Sequence, residues 1–368
     1  MQATIFRPAT PHSPPFIPSI APPTLVVATR TRDPWLDNAR FGLIALVVFG
    51  HCLEPLAGQS AWLDALYRFI YLFHIPAFAF LSGAVASATA DARLFRAIAF
   101  RLLLPYLAFQ LLYALAARTP GWPDAGPVGI ATPYWILWYL LSLACWRLLL
   151  PLFARLRCRL ALAALLALAV GCAGDLGYYL SLSRTLVFFP LFLLGWQFSR
   201  AWRQHLSRPP VRLLATATLG GLLLLAIHWI DATPWLYGSM GYARLGVDIP
   251  AGIVRRALQM TAAILGCAAC LSLVPRRVLP VSSLGARSLP TYLVHGFAIK
   301  LALAGGVFAW LDGMPPALLL PLLLGMALSC VSVLSSAAMQ RWLQPIMAPR
   351  WLERLLWREE RHPLAIRH

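Results

Sequence analysis

The sequence predicts an all-α fold: a polytopic membrane helical bundle of about ten transmembrane helices, with the N- and C-termini cytoplasmic. Three observations carry that expectation. Of 368 residues, 60% are hydrophobic and 12% charged, with a mean hydropathy of +0.70, whereas a soluble domain is roughly half apolar and about a quarter charged. The apolar residues gather in runs long enough to cross ~30 Å of hydrocarbon. Basic residues recur at every second connection between these runs and acids at the others, the asymmetry that sets membrane orientation.

Residues 1–35 hold eight prolines and no continuous apolar stretch. They read as a disordered, Pro-rich cytoplasmic tail rather than a cleavable signal. Residues 36–340 then form one transmembrane domain, with spans expected near 40–58, 63–86, 98–117, 132–153, 159–174, 185–199, 213–230, 251–274, 285–305 and 317–338. With the N-terminus inside, 23 of the 31 basic residues fall on inner segments, the Arg-rich cytoplasmic tail at 341–368 included. The outer loops carry Asp64, Asp124, Asp175, Asp231 with Asp248, and Asp312. The net charge of +18 is thus spread over short loops, and no nucleic-acid partner is expected. The seven cysteines are scattered through apolar segments, and the Cys267–Cys270 pair has no second pair, so neither disulfides nor a metal site is expected.

Ionisable residues at membrane depth are the functional candidates, because hydrocarbon penalises them. Arg40 and His51 lie eleven residues apart on the first span. That spacing is three helical turns plus ~20°, so both share one face with ~16 Å of axial rise between them. His74 on the second span and His295 on the ninth reach the same depth as His51. A buried histidine often just bonds a neighbouring helix, but three at one height favour a polar pocket. Pro76 and Pro290 are expected to interrupt their helices beside two of these histidines. Arg255 and Arg256, next to Asp248 at an outer end, break the charge pattern. They read as a salt-bridged structural pair or as a contact for an anionic glycan or lipid-linked sugar phosphate. Trp135, Trp138 and Tyr139 read as an interfacial aromatic belt, with sugar stacking the alternative.

Four stretches carry a family resemblance. Asp37-x-x-Arg40-x10-His51, closing on VVFGH, resembles the Arg-x10-His motif of the first helix in the acyltransferase-3 family. Residues 73–83 (FHIPAFAFLSG) resemble its second-helix segment, and Arg93, Arg96 and Arg101 with the following LLLPY its basic entry to the third helix. Residues 284–295 (LGARSLPTYLVH) resemble its late LG…S…Y…H segment. The resemblance is closest to the branch that O-acetylates sugars. The hydrolase-like domain that some members carry after the last span is not expected within residues 341–368.

The resemblance implies a multi-pass enzyme of the bacterial cytoplasmic (inner) membrane. Such an enzyme moves an acetyl group from cytoplasmic acetyl-CoA to a hydroxyl of an exopolysaccharide, lipopolysaccharide O-antigen or lipid-linked sugar. The bias of 30 Arg to one Lys fits a GC-rich bacterial source. Acetyl-CoA is then the donor, with no permanently bound cofactor; the partners are the carbohydrate acceptor, the bilayer and polysaccharide biosynthesis proteins. Arg40, Arg93, Arg96 and Arg101 are candidates for the CoA phosphates, which arginine binds as a fork. His51 is the candidate general base or acetyl relay. Glu54, at i+3, is placed to orient the imidazole, whereas Asp37, within the same motif, is too distant to do so. His74, Ser82, Tyr292 and His295, together with Arg255 and Arg256, are candidate pocket or substrate residues. A transporter of a glycan or small molecule is the alternative, although residues 185–368 hold no second copy of either motif. A sensor or assembly partner in polysaccharide export is a third reading. Reporter fusions test the topology: a reporter after Arg208 should be active only as a cytoplasmic marker, and one after Asp312 only as an extracytoplasmic marker.

Overall fold

The first helix begins at Pro34, six residues before the expected span. Asp33 caps it by accepting from the Trp35 amide at 3.1 Å, and a proline at the first helical position loses no hydrogen bond. Arg40 is therefore inside the helix rather than at its edge. The computed structural model describes residues 32–123, 129, 131–174, 177–229 and 232–357. The Pro-rich segment up to residue 31 and residues 358–368 lie outside the described residues.

Each of the ten expected spans contains a helix: α1 Pro34–Leu53, α2 Ala61–Ala84, α3 Ala92–Ala116, α4 Trp138–Ala154 and α5 Arg159–Cys172, then α6 Leu182–Trp196, α7 Pro209–His228, α8 Ile249–Leu273, α9 Ser288–Ala304 and α10 Pro316–Leu334. The segments of α1, α2, α3, α6, α7, α8 and α10 are long and apolar enough to cross a membrane; α4 and α5 are shorter apolar helices. No β-strand occurs among the described residues.

Polar clamps and close crossings fix the bundle. The Asn38 amide donates to the Pro275 and Arg277 carbonyls, both at 2.9 Å, and its oxygen accepts from Ser282 at 2.6 Å. The Trp35 indole N–H donates to Leu271 at 3.2 Å. At Gly285 a side chain would collide with the Asp37 carbonyl, so α1 lies directly against the turn joining α8 to α9. An Asp33–Arg203 ion pair ties the same end to the short helix Arg200–Leu206. Across the core, α2 and α6 meet reciprocally: a Cβ on Gly83 would strike the Phe192 carbonyl, and one on Gly195 the Phe80 carbonyl. Small residues permit such backbone approach where lipid supplies no hydrophobic drive between helices.

Three features depart from expectation. Pro76 does not interrupt α2, which runs unbroken from Ala61 to Ala84, and Pro290 sits in the first turn of α9, where amides have no intrahelical partner anyway. The irregularities lie elsewhere. A π turn at Ala99–Leu103 carries Arg101, and residues 131–137 are non-helical, with Trp135 at φ 27°. Gln110 of α3 makes the latter tolerable: its amide donates to Gly129 and Thr132 at 2.9 and 3.0 Å, and its oxygen accepts from the Tyr134 amide at 2.8 Å. Irregular backbone at this depth needs such protein partners. Finally, the segment expected as an Arg-rich tail continues into α11 Ala337–Met347 and α12 Arg350–Leu356. Leu343 and Met347, one helical turn apart on one face, are buried in the same hydrophobic cluster as Tyr106, Phe109 and Tyr113 of α3 and Leu293 of α9.

Gly195→Leu should destabilise the detergent-solubilised protein by more than ~3 kcal/mol, the upper range for overpacking. Gly220→Leu on α7, with open space around its Cβ, should leave the melting temperature nearly unchanged. Fluorescence-detected thermal unfolding of both variants measures this.

Candidate active site

Helical periodicity puts one stripe of α1 on a cavity: Arg40, Ile44, Val47 and His51, at i, i+4, i+7 and i+11, all line it. A second stripe comes from α2 (Tyr67, Tyr71, Ile75, Phe78, Ser82) and a third from α9 (Ser288, Tyr292, His295). Arg101 of α3, the irregular segment around Trp135 and the start of α4 close the wall; Arg184 of α6 and Tyr237 complete it at the end opposite Arg40. The enclosed volume is about 540 Å³, within the range of small-molecule sites. Arg40 and His51 therefore open on one continuous space.

His51 is the most constrained side chain in it. Its Nδ1 lies 2.8 Å from Glu54 Oε2 and 3.2 Å from the Tyr71 hydroxyl. A carboxylate accepts only, so the imidazole proton is assigned to Nδ1 and the lone pair to Nε2. Trp135 meets the ring edge-on at 4.6 Å, and the His295 ring is 5.3 Å away, centroid to centroid. Tyr67 stacks on Tyr71 at 4.0 Å, and its hydroxyl hydrogen-bonds that of Tyr237 at 2.9 Å. The contacts at Nδ1 and the flanking rings set the plane of the imidazole, and Nε2 makes no hydrogen bond to a described residue.

Residues 33–339 match the family model described as an acyltransferase domain (Acyl_transf_3). The chain belongs to the acyltransferase-3 family. It is similar to the nodulation protein NolL of Sinorhizobium fredii, 30% identical over 142 residues, which is 34% of this chain and 38% of the relative. A second NolL, from Mesorhizobium japonicum, is 31% identical over 126 residues, 30% of this chain and 34% of the relative. The matched stretch thus spans little more than a third of either relative. No solved structure matches.

Within this acyltransferase-3 chain, the residues singled out by sequence separate into three groups. Arg40, His51, Glu54, Ser82, Arg101, Tyr292 and His295 all line the cavity. Ser82 hydrogen-bonds Tyr139 at 2.9 Å, and the Tyr292 hydroxyl donates to the Ile136 carbonyl at 2.6 Å. His295 directs Nδ1 at the Thr291 and Tyr292 carbonyls, both at 2.9 Å, and its Nε2 is buried with no hydrogen-bond partner among the described residues. A second group supports the wall from behind. Asp37 pairs with Arg40 at 3.4 Å, and buried His74 donates from Nδ1 to the Ile70 carbonyl at 2.8 Å while packing on Tyr71 at 4.7 Å.

The third group stands apart from the cavity. Arg93 is exposed, and Arg96 forms an ion pair with Glu353 of α12 at 3.3 Å. Arg255 lies over the Trp235 ring, and buried Arg256 is held between Trp235 and Tyr242 with Nη2 donating to Met240. Neither arginine reaches the pocket, because both pack against the loop carrying those aromatics. Trp135, Trp138 and Tyr139, expected as a belt, are cavity walls instead.

Tyr67, Tyr71 and Tyr237 are not among the residues expected from sequence, and neither is Arg184, although the stretch 183–195 that holds it weakly resembles the family. The first two share the helical spacing of Ser82, and Arg184 is a cation at an outer end, the anomaly that drew attention to Arg255. If the cavity is open to water, Ser82→Cys should react within minutes with a small water-soluble thiol reagent, and Ala79→Cys, on the fully buried side of the same helix, should not. Mass spectrometry of the two peptides reads this.

Proposed function

We propose that this chain is a membrane O-acyltransferase that moves an acetyl group from cytoplasmic acetyl-CoA to a hydroxyl of a cell-envelope carbohydrate in the bacterial inner membrane. The observation that carries this reading is the single cavity whose wall runs from Arg40 and Arg101, through His51, to Arg184 and Tyr237. An arginine pair at one end suits the phosphates of CoA. The pantetheine arm then has to cover the ~16 Å of helix between Arg40 and His51.

At His51 the sugar hydroxyl gives its proton to Nε2 as its oxygen attacks the thioester carbonyl. The new C–O bond forms, the C–S bond breaks, and the CoA thiolate takes the proton back from the imidazolium. Glu54, accepting from Nδ1, holds the ring and stabilises its cationic form. Exopolysaccharide, O-antigen and lipid-linked sugars are the acceptors that fit this reading, supplied by polysaccharide biosynthesis proteins. Membership of an acyltransferase family favours group transfer over transport.

The test is acetyl transfer by purified protein in nanodiscs, alongside the acetyl content of the host's surface glycan with and without the gene. His51→Ala should lower turnover by at least ~10², the usual worth of a positioned general base. Arg40→Ala should raise the KM for acetyl-CoA about tenfold, the scale of a lost charged hydrogen bond. Wild-type turnover by His51→Ala would remove the proposal.

A further inference from the structure

The cavity end opposite Arg40 holds a second built feature. Arg184 enters it between two rings, with its guanidinium carbon 4.9 Å from the Trp138 centroid and 4.9 Å from that of Tyr178. Its Nε donates to the Tyr237 carbonyl at 3.2 Å. The stem and plane of the side chain are thereby set. Its two terminal nitrogens make no hydrogen bond to any described residue, and no described carboxylate lies within ion-pair distance. Glu54 shares the cavity, but its Oε2 is engaged by His51 and no ion pair joins it to Arg184.

A guanidinium without a counter-ion in the wall of a membrane protein is costly, and this one is held open rather than folded away. A preorganised fork of this kind matches a carboxylate or a phosphate.

We infer that the acceptor is an anionic saccharide whose carboxylate or phosphate docks on Arg184, placing a neighbouring hydroxyl at His51. This rests on the acyl-transfer reading and adds the charge of the acceptor to it. Arg184 is here a binding residue that decides specificity, and its chemistry is shared by a uronic acid and by a sugar phosphate.

The experiment measures binding directly, by calorimetry in nanodiscs, to phenyl β-glucoside, phenyl β-glucuronide and glucose 1-phosphate. Wild type should bind at least one anionic probe about tenfold or more tightly than the neutral glucoside, as expected for one desolvated charge-assisted pair. Whichever anion wins identifies the source, uronate or phosphate. Arg184→Gln should abolish that preference while leaving the affinity for the glucoside and for CoA unchanged, and Arg184→Lys should restore part of it. Equal affinity of the wild type for all three probes, or an equal loss for all three in Arg184→Gln, overturns the proposal; the latter makes Arg184 a strut or a counter-charge to Glu54. Acetyl-CoA turnover by the same preparation keeps the two readings separate. Anion preference without turnover refutes acyl transfer and leaves the site, whereas turnover without preference refutes the site alone.

Discussion

The whole arrangement depends on the rotation and height of one helix. Arg40, His51 and Glu54 are all carried by α1 and the turn that continues it, so their mutual placement is set by helix geometry and not by the docking of separate elements. What has to be supplied from outside is the angle at which α1 sits. The Asn38 clamp on the 275–282 turn, with Gly285 tight against the Asp37 carbonyl, supplies it. The 2.8 Å contact between His51 and Glu54 then fixes the imidazole within that frame.

A polar cavity inside a bundle of this hydropathy needs walls that are not simple helices. Regular helices bury their own backbone and pack apolar faces together; a pocket requires a place where that packing fails in a controlled way. Here the π turn that carries Arg101 and the Gln110-bound segment around Trp135 provide it. Trp135, held in a positive-φ conformation with Lys300 over its ring at 5.0 Å, closes on the His51 ring edge-on at 4.6 Å. Single-turn π bulges recur at functional sites for this reason: an added residue re-aims a side chain without ending the helix.

Much of this was legible in the residues. Hydropathy and alternating arginine clusters placed a helix in every expected span, because the bilayer imposes length and charge rules on sequence directly. The spacing of Arg40 and His51 put them on one face for the same reason, and Glu54 at i+3 followed. The signals that failed depend on packing. Pro76 suggests a break, yet α2 absorbs it; Trp135 and Trp138 suit an interfacial belt or a sugar platform alike, since an aromatic at a helix end looks the same whether it meets headgroups or a cavity. Arg96, a candidate for the CoA phosphates from sequence, pairs with Glu353, which no local pattern foretells. Tyr71 carries no motif of its own and Arg184 sits in a stretch that only weakly resembles the family, so the folded neighbourhood alone shows what they face.

The central claim is that one cavity brings a nucleotide thioester to the His51 imidazole. The most direct measurement is a cryo-electron microscopy structure of the protein in nanodiscs with a non-hydrolysable acetyl-CoA analogue. The account predicts the phosphates on Arg40 and Arg101 and the acyl carbonyl carbon within about 4 Å of His51 Nε2, the range of a near-attack geometry. Density for the analogue elsewhere on the protein, or an acyl group that stops short of the His51 ring, would contradict it.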